Sequence, residues 1–376
     1  MGSEAAEKTQ RSQGVVVTYS PQEHGYRDRH ERVTRTEIGK RLAALKGYDF
    51  AGEYDHSACY AGPVYFVPSN TLLAHEVADL GIRSEHDLFG GVVPHGFVAT
   101  KAITHSLVGP DARAPTGWSH AFGRRVQDAV LFGFTVFTPE DARHAAARLL
   151  ERGPARTKPV HASAGRDQTV ISKAAELEVV LDRIERAELS NSGLVLEENL
   201  TDVMTYSVGQ VRVAELVATY HGVQRLTTDN RGEAVYGGSD LVVARGEFDA
   251  LLGLDLSDET RLAVSQARTF DTAVVELYPG LFVSRRNYDV AAGLDAHGQR
   301  RCGVLEQSWR MGGASGAEVA ALEAFRAEPT LDAICVSTFE TYGEAEPPPH
   351  ATVYFRGPDE RIGPMTKYTI VESYDR

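Results

Sequence analysis

Asn287-Tyr288-Asp289-Val290 and, further on, Val304-Leu305-Glu306-Gln307-Ser308-Trp309-Arg310 decide how this chain is read. Each run sets an acid beside apolar neighbours, and Asp289 and Glu306 stand seventeen positions apart. Between them, Gly293 to Gly303 contains Asp295-Ala296-His297-Gly298, a turn sequence. The pattern predicts a hairpin with one acid on each of two neighbouring strands. Two carboxylates aimed at one point suit a hard cation with oxygen ligands, usually Mg²⁺ whose shell phosphate oxygens complete. Glu306, Ser308 and Arg310 are two residues apart, so they share a strand face and join metal ligands to an anion clamp. Solvated acids on a plain hairpin give the same local pattern, so the upstream sequence must decide between them.

Composition narrows the classes. The 376 residues suffice for two or three subdomains with a large core. Hydrophobic residues at 42% and charged residues at 24% are ordinary globular values. With 39 basic and 52 acidic residues the formal charge is −13, so no global basic field invites nucleic acid or an anionic membrane. No apolar run reaches transmembrane length, and Met1 to Gly14 is polar without a signal-peptide core. Cys59, Cys302 and Cys335 are widely spaced and suggest neither a disulfide framework nor a zinc cluster. A cytoplasmic protein with reduced thiols is expected.

Residues 1–14 read as a flexible tail and 15–100 as an N-terminal α/β layer. Strands are expected at Gly14–Tyr19, Pro63–Pro68 and within Leu88–Val98, with helices at about Thr36–Lys46 and Thr71–Leu80. Lys101 opens a further helix to about Val108. Thr138 caps a helix to about Arg152 with Pro139 at its first position. Thr157–Val160 and Thr169–Ile171 form a hairpin with a small-residue tip, and a helix runs from Lys173 to Glu188. Gly193–Leu200 is a strand entering a polar turn, and Tyr206–Tyr220 alternates as antiparallel strands. Helices follow at Glu247–Leu252, Asp258–Tyr278 and Gly316–Arg326. The Pro347-Pro348-Pro349 run precedes a final pair of short strands.

Lys158 lies just before Ala162-Ser163-Ala164-Gly165-Arg166, where small residues let backbone amides approach phosphate and the lysine adds charge. His161-Ala162-Ser163-Ala164-Gly165 is nearly a nucleophile elbow, but a returning strand follows where an elbow needs a helix. Neither GxxxxGK[ST] nor GxGxxG occurs. Glu197-Glu198-Asn199-Leu200 ends an apolar strand where free backbone groups could meet an adenine edge. Arg285-Arg286 and Arg310 bring positive charge toward the two acids, or simply balance them. His24, Arg27, Asp28, Arg29 and His30 follow the first strand, where α/β layers carry ligands; they read as acceptor contacts or as a solvated loop.

Taken in order, these pieces resemble the ATP-grasp superfamily of ATP-dependent ligases across roughly residues 15–325. The resemblance implies a Rossmann-like N-terminal domain followed by a two-lobed ATP-grasp fold, with 101–196 as the first lobe and 197–376 as the second with a C-terminal extension. Lys101 and Lys158 are similar to the family's nucleotide lysines, Ser163 to Arg166 to its phosphate-covering loop, and Glu197 to Leu200 to its adenine-reading hinge. Asp289 matches the first metal acid, and Glu306-Gln307-Ser308-Trp309-Arg310 is similar to the Glu-x-Asn-x-Arg segment. Two departures stand out. Ser308 occupies the usual Asn position, and Val203-Met204-Thr205 occupies the place of the ribose acid, leaving Glu198 or Asp202 to substitute. The implied activity is an ADP-forming carboxylate–amine ligase using ATP and Mg²⁺. Asp289, Glu306 and Ser308 would be metal ligands, and Arg310, Arg286 and Lys158 would be catalytic. Gln224 and Arg225 are further candidates for an acceptor carboxylate. Small-molecule acid and nucleophile substrates and a homodimer are expected. A regulatory nucleotide-binding protein and a small-molecule kinase are the alternatives on the same fold.

Overall fold

The structure, a computed structural model, describes residues 13–21, 28–161 and 167–374. The N-terminal layer comprises β1 (Val15–Tyr19), α1 (Arg29–Lys46), β2 (Asp49–Glu53) and β3 (Val64–Pro68), the strands forming a parallel sheet of order β2-β1-β3. α1 ends where Gly47 takes φ 68°, letting Gly47 and Tyr48 amides cap Ala44 and Ala43 carbonyls. This layer is slighter than a Rossmann-like domain, with one helix among its described residues. The expected helix at 71–80 is instead a set of turns around β4 (Leu72–Leu73), which pairs with β5 (Gly91–Val93).

Two 3₁₀ turns, Gly96–Ala99 and Lys101–Thr104, replace the longer helix expected from Lys101. Their polar groups have other partners. Gln307 Nε2 donates to Val98 O at 2.8 Å and Thr100 O at 2.7 Å, while the Thr135 hydroxyl donates to Ala102 O. Carbonyls met by side chains leave little for an extended helix to gain. After α2 (His120–Val126) comes a four-stranded antiparallel sheet of order β6-β9-β7-β8, with β6 (Gly133–Val136), β7 (Ala155–Pro159), β8 (Thr169–Ile171) and β9 (Leu194–Glu198). α3 (Pro139–Leu150), capped by Thr138 as expected, packs on it. The single helix expected at 173–188 is broken into α4 (Ala174–Arg183) and α5 (Arg186–Ser192), because Ile184 leaves helical geometry and packs against the same core.

An eight-stranded antiparallel sheet forms the rest. Its strands are β10 (Thr201–Val213), β11 (Leu216–Thr228), β12 (Ala234–Arg245), β14 (Arg285–Leu294), β15 (Arg300–Ser308), β16 (Ala333–Tyr342), β17 (Thr352–Asp359) and β18 (Gly363–Ser373). Their order is β15-β14-β10-β11-β12-β16-β18-β17. α6 (Phe248–Leu252) and α7 (Asp258–Leu277) follow β12, and β13 (Phe282–Val283) pairs with β5, joining the N-terminal part to this sheet. α7 buries Phe270 and Val274 against Tyr288 and Val290 on one face of the sheet. α8 (Ser315–Ala327) buries Val319 and Leu322 beside Tyr220 and Val336. The C-terminal strands are full members of the sheet rather than the expected short pair. Among the described residues no helix is long and apolar enough to cross a membrane.

Candidate functional site

The hairpin read from sequence is β14–β15. Asp295 Oδ1 accepts from the His297 and Gln299 amides, both at 2.9 Å, and Gly298 supplies a φ of 74°. Asp289 pairs across the strands with Glu306, and Asn287 with Ser308. The register slips between Asp289 and Val290, which pairs with Val304, so Leu305 is an extra residue on β15. This bulge sets both Leu305 and Glu306 on the cleft wall while Val304 packs with α7 behind the sheet.

The cleft encloses about 630 Å³ and is lined by Lys101, Lys158, Asp289, Glu306, Ser308 and Arg310. Lys101 Nζ lies 2.9 Å from Glu306 Oε2. The Lys158 ammonium contacts Glu197, which also accepts from His105 Nε2 at 3.0 Å. Burial alone would raise the Glu197 carboxyl; Lys158 and the His105 hydrogen bond outweigh it and bring the pKa down to about 2. Asp289 goes the other way. Burial and then the Glu306 charge raise it, against the pull of Arg285, Lys101 and a hydrogen bond from Gln224 Nε2 at 3.0 Å. Two carboxylates facing each other in this way fit a hard divalent cation, which would remove the repulsion, with the Ser308 hydroxyl as a third oxygen. Leu131, Leu200, Ala291 and Leu305 form an apolar patch on the cleft wall that a flat base could cover.

Several expectations meet different geometry. Arg286 faces away from the acids: its guanidinium holds Asp271 at 3.0 Å and donates to Val283 O. Strand alternation explains this, since 285, 287 and 289 share one face and 286 takes the other. Arg285 is the arginine on the site's face, but it is committed to Glu318 at 2.8 Å and to the Arg310 carbonyl at 2.6 Å. In the hinge segment, Glu197 serves Lys158, and Glu198 accepts from the Phe132 amide and Arg301. Asn199 turns to Arg156 at 2.7 Å. Leu200 alone offers its side chain to the apolar patch. Gln224 orients Asp289, and Arg225 donates to Thr338 O and lies over the Phe339 ring. Ser163, Ala164, Gly165 and Arg166, with His24 and Arg27, lie outside the described residues. His105, 92 positions from its partner, carried no signal in the sequence; Gln307 lay within the motif, but its role of fixing the Lys101 turn to β15 did not show there. Asn287 was visible within the motif; it donates to the Ser207 hydroxyl at 2.6 Å.

Solved structures share this architecture. N5-carboxyaminoimidazole synthetase from Staphylococcus aureus, complexed with ADP, superposes with a TM-score of 0.52 at 11% identity, covering 95% of this chain and 93% of that one. The biotin carboxylase domain of Hydrogenobacter thermophilus 2-oxoglutarate carboxylase, in complex with MgADP, ADP and bicarbonate, gives 0.51 at 12% identity, covering 95% and 86%. No curated protein sequence matches the chain. At these identities the likeness is one of fold. Residues 16–369 match the family described as protein of unknown function DUF3182, and the chain belongs to it.

Proposed function

We propose that the protein is a Mg·ATP-dependent ligase that activates a substrate carboxylate for attack by an amine. The observation that carries this reading is the facing pair Asp289 and Glu306 in one cleft with Lys101, Lys158 and Arg310. In this reading residues 15–100 precede a first lobe at 101–196 and a second at 197–376. A carboxylate oxygen of the substrate attacks the terminal phosphorus of ATP, and the bond to ADP breaks. The amine nitrogen then attacks the acyl carbon; the C–N bond forms, phosphate leaves, and nitrogen loses a proton. Asp289 and Glu306, with Ser308, would hold Mg²⁺, which when bound neutralises phosphate charge.

The chain's own groups position and stabilise. Lys101, seated on Glu306, and Lys158, held by Glu197, direct ammonium groups at phosphate oxygens. Gln224 fixes the Asp289 carboxylate. Arg310 offers a planar fork to the phosphoryl group as it moves. Ser163 to Arg166 would cover the phosphates and keep water from the acyl phosphate. The substrates are small molecules, and a homodimer in the cytoplasm is the setting we propose.

Calorimetry with Mg·ATP tests the site. Wild-type binding should need Mg²⁺ and be lost in Glu306→Gln without loss of fold. Absence of ATP binding by the folded wild type would sink the reading. Ser308 favours one second reading, a nucleotide-binding regulator, because its hydroxyl reaches less far than the usual amide. ADP release that requires both acid and amine marks the ligase. ADP release with a phosphorylated acceptor marks a kinase, and ATP binding without ADP under any mixture marks the regulator.

A further inference from the structure

Three cavities of about 790, 570 and 630 Å³ meet at Arg310, which lines all of them. The third is the nucleotide cleft. The second contains Asn70, Thr71, Lys101 and Gln307, and its acids are engaged: Glu76 accepts from the Leu73 amide and Glu306 holds Lys101. It presents donors to an anion. The first lies between the start of α1 and strands β12, β16 and β18, and shares Tyr236, Gly312 and Gly313 with the nucleotide cleft.

We propose that this first cavity binds the amine co-substrate as a cation, through acceptor atoms of Asp28, His30 and Glu31; the assignment rests on the ligase reading above. One ligand atom from each of the three residues lies within 4.8 Å of the others. Arg361 holds Asp28 Oδ1 at 3.0 Å and Lys367 holds Glu340 at 2.8 Å; Arg231 donates to Arg361 O, and the Lys367 and Arg310 charges also reach Glu31. Asp28 Oδ2 lies 4.0 Å from His30 Nε2, and Glu31 is an acid whose pKa is raised, first by burial. His30 provides an independent sign. It is only 5% exposed, its backbone amide is anchored on Asp359 at 3.0 Å, and neither ring nitrogen has a hydrogen-bond partner. A buried polar ring left unmatched costs stability unless a ligand uses it. Burial and then the Lys367 charge lower its pKa, so the ring stays neutral and offers an acceptor nitrogen.

An ammonium and a metal ion call for different spacings. Acceptors hydrogen-bonded to a tetrahedral ammonium about 2.8 Å away stand roughly 4.6 Å apart. Ligands of a tetrahedral ion at about 2.1 Å stand roughly 3.4 Å apart. His30 Nε2 and Asp28 Oδ2 are 4.0 Å apart, midway between the two spacings, so the Zn²⁺ comparison in the test decides between them.

The test uses the full chain and 1,4-diaminobutane as probe, with butane-1,4-diol, succinate and Zn²⁺ as comparisons, by calorimetry with and without Mg·ATP. The diamine should bind at least tenfold more tightly than the diol. Glu31→Gln should weaken it at least tenfold, and Glu31→Asp should restore part of the loss. Both variants should melt like wild type and bind Mg·ATP unchanged. A diamine no better than the diol, preference for succinate, displacement of the diamine by Zn²⁺, or indifference to Glu31→Gln would each overturn the proposal. Failure of the ligase reading looks different: Mg·ATP would not bind, while the diamine would still bind in a Glu31-dependent way.

Discussion

The two lysines of the Asp289–Glu306 cleft carry similar partners in unlike surroundings. Lys158 and Glu197 are sealed, with side chains 4% and 3% exposed, and His105 closes the set. Lys101 is equally buried, but its partner Glu306 is 34% exposed and faces Asp289. The first set is fixed by its own protein contacts. The second holds a carboxylate whose interests conflict, drawn to Lys101 and repelled by Asp289. Such a group can exchange a lysine for a metal cation at small cost, while Glu197 cannot leave Lys158 without stranding a buried charge.

The largest expected effect tests the sealed side. Glu197→Gln should cost about 3–5 kcal/mol in unfolding free energy, because an uncompensated ammonium stays buried. Denaturant melts measure this, and a loss below 1 kcal/mol would mean the set is less closed than its geometry implies. The same residue sets an acid limit. Its folded pKa of about 2 lies below the ordinary 4.5, so the unfolded chain binds the extra proton. The stability it contributes is complete above pH 4.5 and is lost as pH falls from there toward 2. Melting temperatures of wild type and Glu197→Gln should therefore converge over that window, and parallel curves would refute the assignment.

Gln307→Leu should come next. It strips the donor from the Val98 and Thr100 carbonyls and should cost about 1–3 kcal/mol, with weaker Mg·ATP binding as the Lys101 turn loosens. Unchanged ATP affinity in a destabilised variant would show that Gln307 only holds the fold. The smallest stability change is expected in Glu306→Gln, within about 1 kcal/mol of wild type. Losing the Lys101 pair is offset there by relief of Asp289, even as metal-dependent ATP binding disappears. A large loss of stability would erase the contrast between the two lysines.

The hairpin was legible because its signals are local: alternation, a turn sequence, and acids beside apolar residues. Thr138-Pro139 and the long helix α7 were legible for the same reason. Arg286 was misread although strand parity counted back from Asp289 points to 285 instead. Glu197 looked like a hinge residue because its partners, Lys158 and His105, come from distant segments that only folding brings together. The helix expected from Lys101 failed for a related reason: Thr135, 33 positions away, takes the Ala102 carbonyl, and Gln307, more than 200 positions away, takes Thr100 just before it. β16 to β18 were underread because their alternation is half-buried, and their role as a cavity wall depends on α1 packing against β17.

The extra residue at Leu305 makes the chemistry of β15 a matter of counting. With one residue fewer at that point, Val304 and Glu306 would become neighbours in a regular ladder, each keeping its partner, Val290 and Asp289. Glu306 and Ser308 would stay on the cleft face with Gln307 behind it, and only the Leu305 side chain would be lost from the apolar patch. A single-codon deletion there would therefore spare both acids and open the apolar wall beside them.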